Sequence, residues 1–260
     1  MLHGARAAQM DDLEYLVELH KGTRRQGPGG EAETARAIEL AGLSASAALN
    51  VADIGCGTGA STLQLARSLN ASITAVDFLP EFIEVLERRA ENEKLGHKIR
   101  TLAASMEKLP FADNEYDVIW SEGAIYNIGF ARGVREWKRY LKPGGTLVVS
   151  EITWTTGSRP EELEQYWKSA YPEIDTASAK LSLLETSGYH PLAYFVLPRH
   201  CWLNNYYRPL QARFPGFLEQ HAQDEKARSI VAAEKEEIAL YEKYHAFYSY
   251  GVYIARKIAL

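Results

Sequence analysis

The sequence predicts an α/β protein built on a doubly wound, mostly parallel sheet. Three observations carry the prediction. Apolar, β-branched runs alternate with helix-like stretches from about Asn50 to Glu151, and strands that alternate with helices pair in parallel. Residues 51–59, Val-Ala-Asp-Ile-Gly-Cys-Gly-Thr-Gly, carry a strand directly into three alternating glycines and a helix start, a junction at which a ligand can approach bare backbone. Two later strand-like runs, Tyr189 to Leu197 and Tyr248 to Lys257, bring the expected strands to seven.

Asp11 to Lys21 has helical spacing, with Leu13, Leu16, Val17 and His20 on one face. Gly27-Pro28-Gly29-Gly30 ends that pattern, and Glu31 to Leu43 reads as a second helix. Core strands are expected near 50–54, 72–77, 99–103, 116–120 and 145–151, with helices near 60–69, 80–94 and 130–141. Lys142-Pro143-Gly144-Gly145 is a turn feeding a β-branched strand. Past Glu151 the rhythm changes, and Pro160 to Ala170 and Thr176 to Ser187 read as helices. About fifty residues then separate the sixth strand from the last, a length that suggests a functional insertion. They hold Trp202 to Phe214 and a long charged helix, Asp224 to Tyr244. The expected division is a cap segment over 1–30 and one α/β domain over 31–260, with a helical lid at about 199–246.

The glycine loop narrows the ligand. Its spacing is G-x-G-x-G rather than G-x-G-x-x-G, and Asp53 stands two residues before the first glycine. A carboxylate there repels a pyrophosphate and favours a ligand with a cationic amino group. S-adenosylmethionine carries an ammonium and a sulfonium and no phosphate. The second strand ends in Asp77, placed to accept hydrogen bonds from ribose hydroxyls, and Phe78 and Leu79 follow it to cover an adenine face. A nicotinamide dinucleotide shares the ribose contact, so Asp77 alone does not separate the two ligands.

The glycine loop, Asp77, the segment Ala103 to Phe111 with its Leu-Pro-Phe, and Lys142 to Glu151 resemble, in this order, the class I S-adenosylmethionine-dependent methyltransferases over about residues 24–155. Gln26-Gly27-Pro28-Gly29, Ser121 to Phe130 and Trp137 resemble a bacterial subgroup, the YjhP-like small-molecule methyltransferases. The resemblance implies a Rossmann-like methyltransferase fold with an antiparallel last strand, an N-terminal helical cap and a helical insertion before that strand. It implies S-adenosyl-L-methionine as cofactor and S-adenosyl-L-homocysteine as product. It puts Gln26 and Gly29 at the cofactor's methionine end, with an arginine assisting, and Ser105 and Met106 at the adenine. Many members carry Asp at the position of Ser105; a hydroxyl still accepts the adenine amino hydrogen bond. The cofactor-binding set is then Gln26, Gly29, Asp53, Gly55, Cys56, Gly57, Asp77, Phe78, Ser105, Met106, Ser121 and Glu122.

Methyl transfer is an in-line displacement at a carbon bonded to cationic sulfur. Positioning and exclusion of water dominate, and a base is needed only where the acceptor must lose a proton. Ligands of doubly wound sheets lie outside the carboxyl ends of the strands, so acceptor residues are sought just after each strand. Tyr126 follows strand four, Glu151 and Trp154 follow strand five, and His200 and Trp202 follow strand six. His200, Glu151 and Tyr126 form the candidate catalytic set, with His200 as base because imidazole titrates near neutrality. His20, Tyr126, Trp154, Trp202 and Tyr206 form the candidate acceptor-binding set, whose rings suit an apolar, cationic or flat acceptor. Each has a plainer reading: Glu151 as a satisfied structural carboxylate, His200 as an exposed loop residue, His20 as a helix-face contact, the aromatics as packing.

Composition bounds the partners. A 46% hydrophobic chain of 260 residues builds one substantial core. A net charge of −5 and the lack of a long Lys/Arg run argue against a nucleic-acid substrate. Only two cysteines occur, and Cys56 lies in the glycine loop, which argues against a disulfide framework and for a reducing cytoplasm. No zinc-ligand spacing is visible and no metal is expected. Met1 to Met10 has no apolar core of a secretory signal, and no run reaches membrane-spanning length. The expectation is a cytoplasmic enzyme, monomer or homodimer, methylating a small molecule at O, N, S or C. An NAD-dependent oxidoreductase and a non-catalytic S-adenosylmethionine-binding protein are the alternatives.

Overall fold

The computed structural model describes residues 10–222 and 224–259. Its strands are β1 (Leu49–Ile54), β2 (Ala71–Asp77), β3 (Ile99–Ala103), β4 (Tyr116–Glu122), β5 (Leu141–Trp154), the two-residue β6 (Asp175–Thr176), β7 (Tyr189–Val196) and β8 (Tyr248–Lys257). The sheet order is β3-β2-β1-β4-β5-β8-β7, with β6 paired to the end of β5. β8 alone runs antiparallel, to both β5 and β7. This is the Rossmann-like methyltransferase arrangement, with seven strands on the main path.

Period-two alternation sends neighbouring residues of the central strands to opposite faces. Val51, Val118, Trp120 and Val148 face Ala37 and Ile38 of α2 (Glu31–Leu40) and Leu65 and Ala66 of α3 (Ala60–Ser68). Ala52, Ile119, Leu147 and Val149 face Val134 and Trp137 of α5 (Phe130–Trp137) and Leu184 of α7 (Ala177–Thr186). Helices cover both faces, so the parallel strands are apolar on both sides and buried.

Several expected boundaries shift, among them that of the second helix, which ends at Leu40 rather than Leu43. The helix expected over 130–141 ends at Trp137, and a 3-10 turn over Lys138–Tyr140 follows. The Pro-Gly-Gly turn lies inside β5: Leu141 pairs with Tyr116, and the ladder resumes at Thr146 opposite Val118. Gly144, at φ +75°, supplies the left-handed backbone that this irregularity needs.

The connection between β7 and β8 folds into α8 (Arg199–Trp202), a π turn (Leu203–Tyr207), α9 (Arg208–Gln211), α10 (Phe214–Gln220) and α11 (Glu225–Tyr244). The Asp224 carboxylate caps α11 by accepting from the backbone nitrogen of Lys226 at 2.8 Å. The Trp202 ring stacks on Tyr241 at 4.4 Å, and its indole N–H donates to Ser249 Oγ on β8 at 2.9 Å. Trp202, Tyr206, Tyr207 and Tyr241 are fully buried, so this connection is bound to the sheet by an aromatic core. The leading helix α1 (Met10–Lys21) packs on α11 and on α4 (Pro80–Asn92). Residues 1–9 of the expected cap lie outside the described residues. Among the described residues no helix is long and apolar enough to cross a membrane.

Candidate active site

The strand order reverses between β1 and β4, and a cavity of about 520 Å³ opens at the carboxyl ends of the strands there. That volume lies in the range of small-molecule sites, about 300–1,000 Å³. Its floor is the glycine loop. Gly57 has φ +54°, and a Cβ there would stand 2.6 Å from Gln26 Oε1. A Cβ on Gly55, at φ +77°, would meet the Ala124 Cβ at 2.2 Å. Both positions therefore need glycine for backbone conformation and for space.

Asp77 ends β2 at the cavity wall. Its carboxylate accepts from the backbone nitrogens of Gly57 at 2.8 Å and Leu79 at 3.0 Å. Burial pushes its pKa up, and these amide donors oppose the shift. Two of its roughly four lone-pair sites are so used. Glu122 ends β4 on the opposite wall. Arg25 donates to its Oε2 at 2.8 Å, while Thr34 and the Trp120 indole reach Oε1 at 2.7 and 3.0 Å. Apolar walls come from Leu13, Leu79, Phe82, Met106 and Ile128, and Phe78, 63% exposed, stands at the rim.

Asp53 lies behind the floor rather than on it. It is fully buried, and its Oδ2 accepts from Ser61 at 2.9 Å and Thr62 at 2.6 Å at the start of α3. Its Oδ1 is buried without a hydrogen-bond partner. Burial raises its pKa to about 7; the charges of Glu122 and Asp77 add to the shift, and the two hydroxyl donors oppose it.

The structure brings most of the expected cofactor set together. Gln26, Gly55, Cys56, Gly57, Asp77, Phe78, Ser105, Met106 and Glu122 line the cavity. Gly29 does not; its carbonyl accepts from Asn205 at 2.8 Å. Ser121 is buried and donates to the Ile54 carbonyl at 2.8 Å, tying β4 to β1.

Of the expected acceptor side, Tyr126 alone lines the cavity. Glu151 is fully buried against Lys180, with Nζ 3.2 Å from Oε1; burial raises its pKa, and Lys180 opposes the shift. Trp154 is buried under the Arg159 guanidinium, 4.3 Å from the ring centroid. Trp202 and Tyr206 belong to the aromatic core of the insertion: Trp202 stacks on Tyr241 and bonds Ser249, and Tyr206 packs on Tyr207. His20 is fully buried, 3.1 Å from Glu234 Oε1. His200 is half exposed and faces Glu33 at 3.2 Å, since β7 lies two strands beyond β5, at the far edge of the sheet.

Sequence reasoning missed Leu13, Phe82, Asn127 and Ile128 as lining residues. Leu13 packs with Val17, Leu79 and Phe82 in one small cluster, and its i, i+4 spacing to Val17 was the available signal.

Comparison with known proteins agrees with this architecture. Residues 52–149 match a family described as a methyltransferase domain. Over 111 residues the chain is 33% identical to the methyltransferase GfsG of Streptomyces halstedii, a match spanning 42% of this chain and 40% of that protein. The chain thus spans less than half the length of this curated relative. Among solved structures, YjhP of E. coli superposes with a TM-score of 0.82 at 21% identity, over 95% of this chain and 100% of that one. A methyltransferase from Geobacter sulfurreducens in complex with S-adenosyl-L-homocysteine gives 0.81 at 17% identity, over 93% and 97%. The [4+2]-cyclase SpnF gives 0.77 at 23% identity, over 98% and 96%. At these identities the structural likeness establishes the fold.

Proposed function

We propose that this chain, a member of the class I S-adenosylmethionine-dependent methyltransferases, binds S-adenosyl-L-methionine in the cavity between β1 and β4 and transfers its methyl group to a small-molecule acceptor. One observation carries the reading: three carboxylates, Asp53, Asp77 and Glu122, stand at or just behind the cavity, and Arg25 is already bonded to one of them. A pyrophosphate is disfavoured in that field and a cationic ligand is favoured. This argues against the nicotinamide alternative.

The ligand supplies a methyl group on cationic sulfur. The residues of this chain bind and orient. Asp77 offers its remaining lone pairs to ribose hydroxyls, and Phe78, Leu79 and Met106 cover the adenine. Ser105 accepts from the adenine amino group. Gln26 holds the glycine loop in shape beside the methionine end, while the Asp53 and Glu122 charges favour its ammonium. Tyr126 and Asn127 face the acceptor and help exclude water from it. No base is required where the acceptor is already a free nucleophile. Residues 1–30 and the β7–β8 connection act as a cap, and the protein works in the cytoplasm.

Incubation of the purified protein with S-adenosyl-L-methionine and an acceptor panel tests the proposal. Formation of S-adenosyl-L-homocysteine with an acceptor is expected. Tight binding with no turnover on any acceptor would favour the non-catalytic reading, and binding of NAD in place of S-adenosyl-L-methionine would refute the assignment.

A further inference from the structure

Outside the cavity, Glu33, His200 and Cys201 form a second cluster of ligand-type side chains. Glu33 lies on α2, while His200 and Cys201 lie on α8, so no short sequence motif announces the cluster. His200 Nε2 is 3.2 Å from Glu33 Oε1 and 3.7 Å from Cys201 Sγ, and the donor atoms all lie within 4.8 Å of one another. The 3.2 and 3.7 Å separations are close to the edges of a tetrahedral site. With Zn–S near 2.3 Å and Zn–N and Zn–O near 2.0–2.2 Å, adjacent donors stand roughly 3.3–3.6 Å apart. A second observation points to a cation. Glu33 Oε2 is buried without an N–H or O–H donor, and the carboxylate faces the weak thiol donor of Cys201 and the His200 ring; a carboxylate removed from water needs a stronger compensating donor or an ion.

We propose that Glu33, His200 and Cys201 bind a divalent transition metal of the zinc class, with a water molecule as fourth ligand. The mixed O, N, S set suits a borderline-soft ion, whereas magnesium and calcium take oxygen ligands. The half-exposed His200 gives the ion a path from solvent, and the fully buried Cys201 encloses it. On binding, a sulfur–metal bond forms, the thiol S–H bond breaks and its proton passes to solvent. His200 coordinates as neutral imidazole through Nε2 and Glu33 as carboxylate; nothing is oxidised or reduced. The ion fastens α2 to the start of the β7–β8 connection. The Gln-Gly-Pro-Gly loop is held from the same side, because Asn205 of the π turn donates to the Gly29 carbonyl at 2.8 Å. The metal is thus a structural staple beside the cavity, and its binding does not depend on which ligand the cavity takes.

Cobalt(II) titration of the chelator-stripped full chain tests this site, followed by zinc competition in calorimetry with two buffers of different ionisation enthalpy. The expected result is one equivalent bound, a thiolate-to-cobalt charge-transfer absorption and release of about one proton. Cys201→Ser abolishes the absorption and Cys56→Ser leaves it. His200→Ala, at a half-exposed position, and Glu33→Gln each weaken zinc binding at least tenfold. Zinc raises the thermal midpoint of the wild type and of Cys56→Ser but not of the other variants. The site is refuted if the wild type shows no thiolate–cobalt absorption, if that absorption survives Cys201→Ser, or if His200→Ala binds zinc as tightly as the wild type.

Discussion

Gln26 Oε1 lies 2.9 Å from the backbone nitrogen of Thr58 and 3.0 Å from its hydroxyl, so a side chain of the leading segment caps the glycine loop. The other end of the same amide donates to the carbonyls of His20 and Thr23 at 3.3 and 3.2 Å, which fixes its orientation. Arg89, on α4, closes the arrangement from behind with bonds to the Thr58 hydroxyl at 2.7 Å and the Thr23 carbonyl at 3.0 Å. The leading segment and the loop therefore form one mechanical unit.

Gln26→Ala should expose that coupling. It leaves the Thr58 N–H without its acceptor, a loss of about 1–3 kcal/mol. Affinity for S-adenosyl-L-homocysteine should fall roughly tenfold, about 1.4 kcal/mol, with the fold retained by circular dichroism. Calorimetric affinity equal to that of wild type would show that the loop keeps its shape without Gln26.

Asp53 predicts a pH dependence. Its folded pKa is about 7, raised chiefly by burial, against an unfolded value of about 3.9. Between those values the folded protein binds more protons than the unfolded chain, so this residue's contribution to stability is fully present below about pH 4 and is lost as pH rises through about 7. A cationic ligand favours the ionised form, so affinity for S-adenosyl-L-methionine should rise over the same window and level off above it. Asp53→Asn keeps an acceptor for Ser61 and Thr62 and removes the titration, which should flatten both trends. Slopes unchanged in this variant would assign them to another group.

The Lys180–Glu151 pair, 3% and 0% exposed, predicts a stability effect. Lys180→Met strands a buried carboxylate and should cost about 3–5 kcal/mol. For a chain of this size that lowers the melting temperature by on the order of 10 °C. Adding Glu151→Leu should restore most of the loss. A double variant as unstable as Lys180→Met would mean that packing, rather than stranded charge, is responsible.

Tyr126, which lines the cavity, tests the proposed acceptor side. Tyr126→Ala should reduce turnover on an identified acceptor at least tenfold, since alignment dominates this chemistry. Its affinity for S-adenosyl-L-homocysteine should stay within about threefold, roughly 0.6 kcal/mol. Full turnover in this variant would move the acceptor subsite away from Asn127 and Tyr126.

Most of the cavity lining was legible in the sequence because its residues are local. Asp77 and Glu122 end strands, and Gly55 and Ser105 come within two residues of a strand end; the alternation of apolar residues marks those ends, and parallel pairing puts them on one edge. The acceptor side was not legible. Trp202 and Tyr206 occupy the same kind of post-strand segment as Tyr126, yet both are fully buried, Trp202 against Tyr241 of α11 and Tyr206 against Tyr207. The bonds from Arg25 to Glu122 and from Arg89 to Thr58 join residues far apart in the chain, with no pattern to announce them. Nor does any spacing relate Glu33 to His200 and Cys201.

Calorimetric titration of wild type and Asp77→Ala with S-adenosyl-L-methionine tests the central assignment most directly. Asp77 is the carboxylate that couples the glycine loop to the cavity, through Gly57 and Leu79. Wild type should bind one equivalent, and the folded variant should bind ten- to a hundredfold more weakly, about 1.5–3 kcal/mol for loss of a charge-assisted hydrogen bond. No measurable binding to wild type, or equal affinity in a folded Asp77→Ala, would contradict the assignment of this cavity to S-adenosyl-L-methionine.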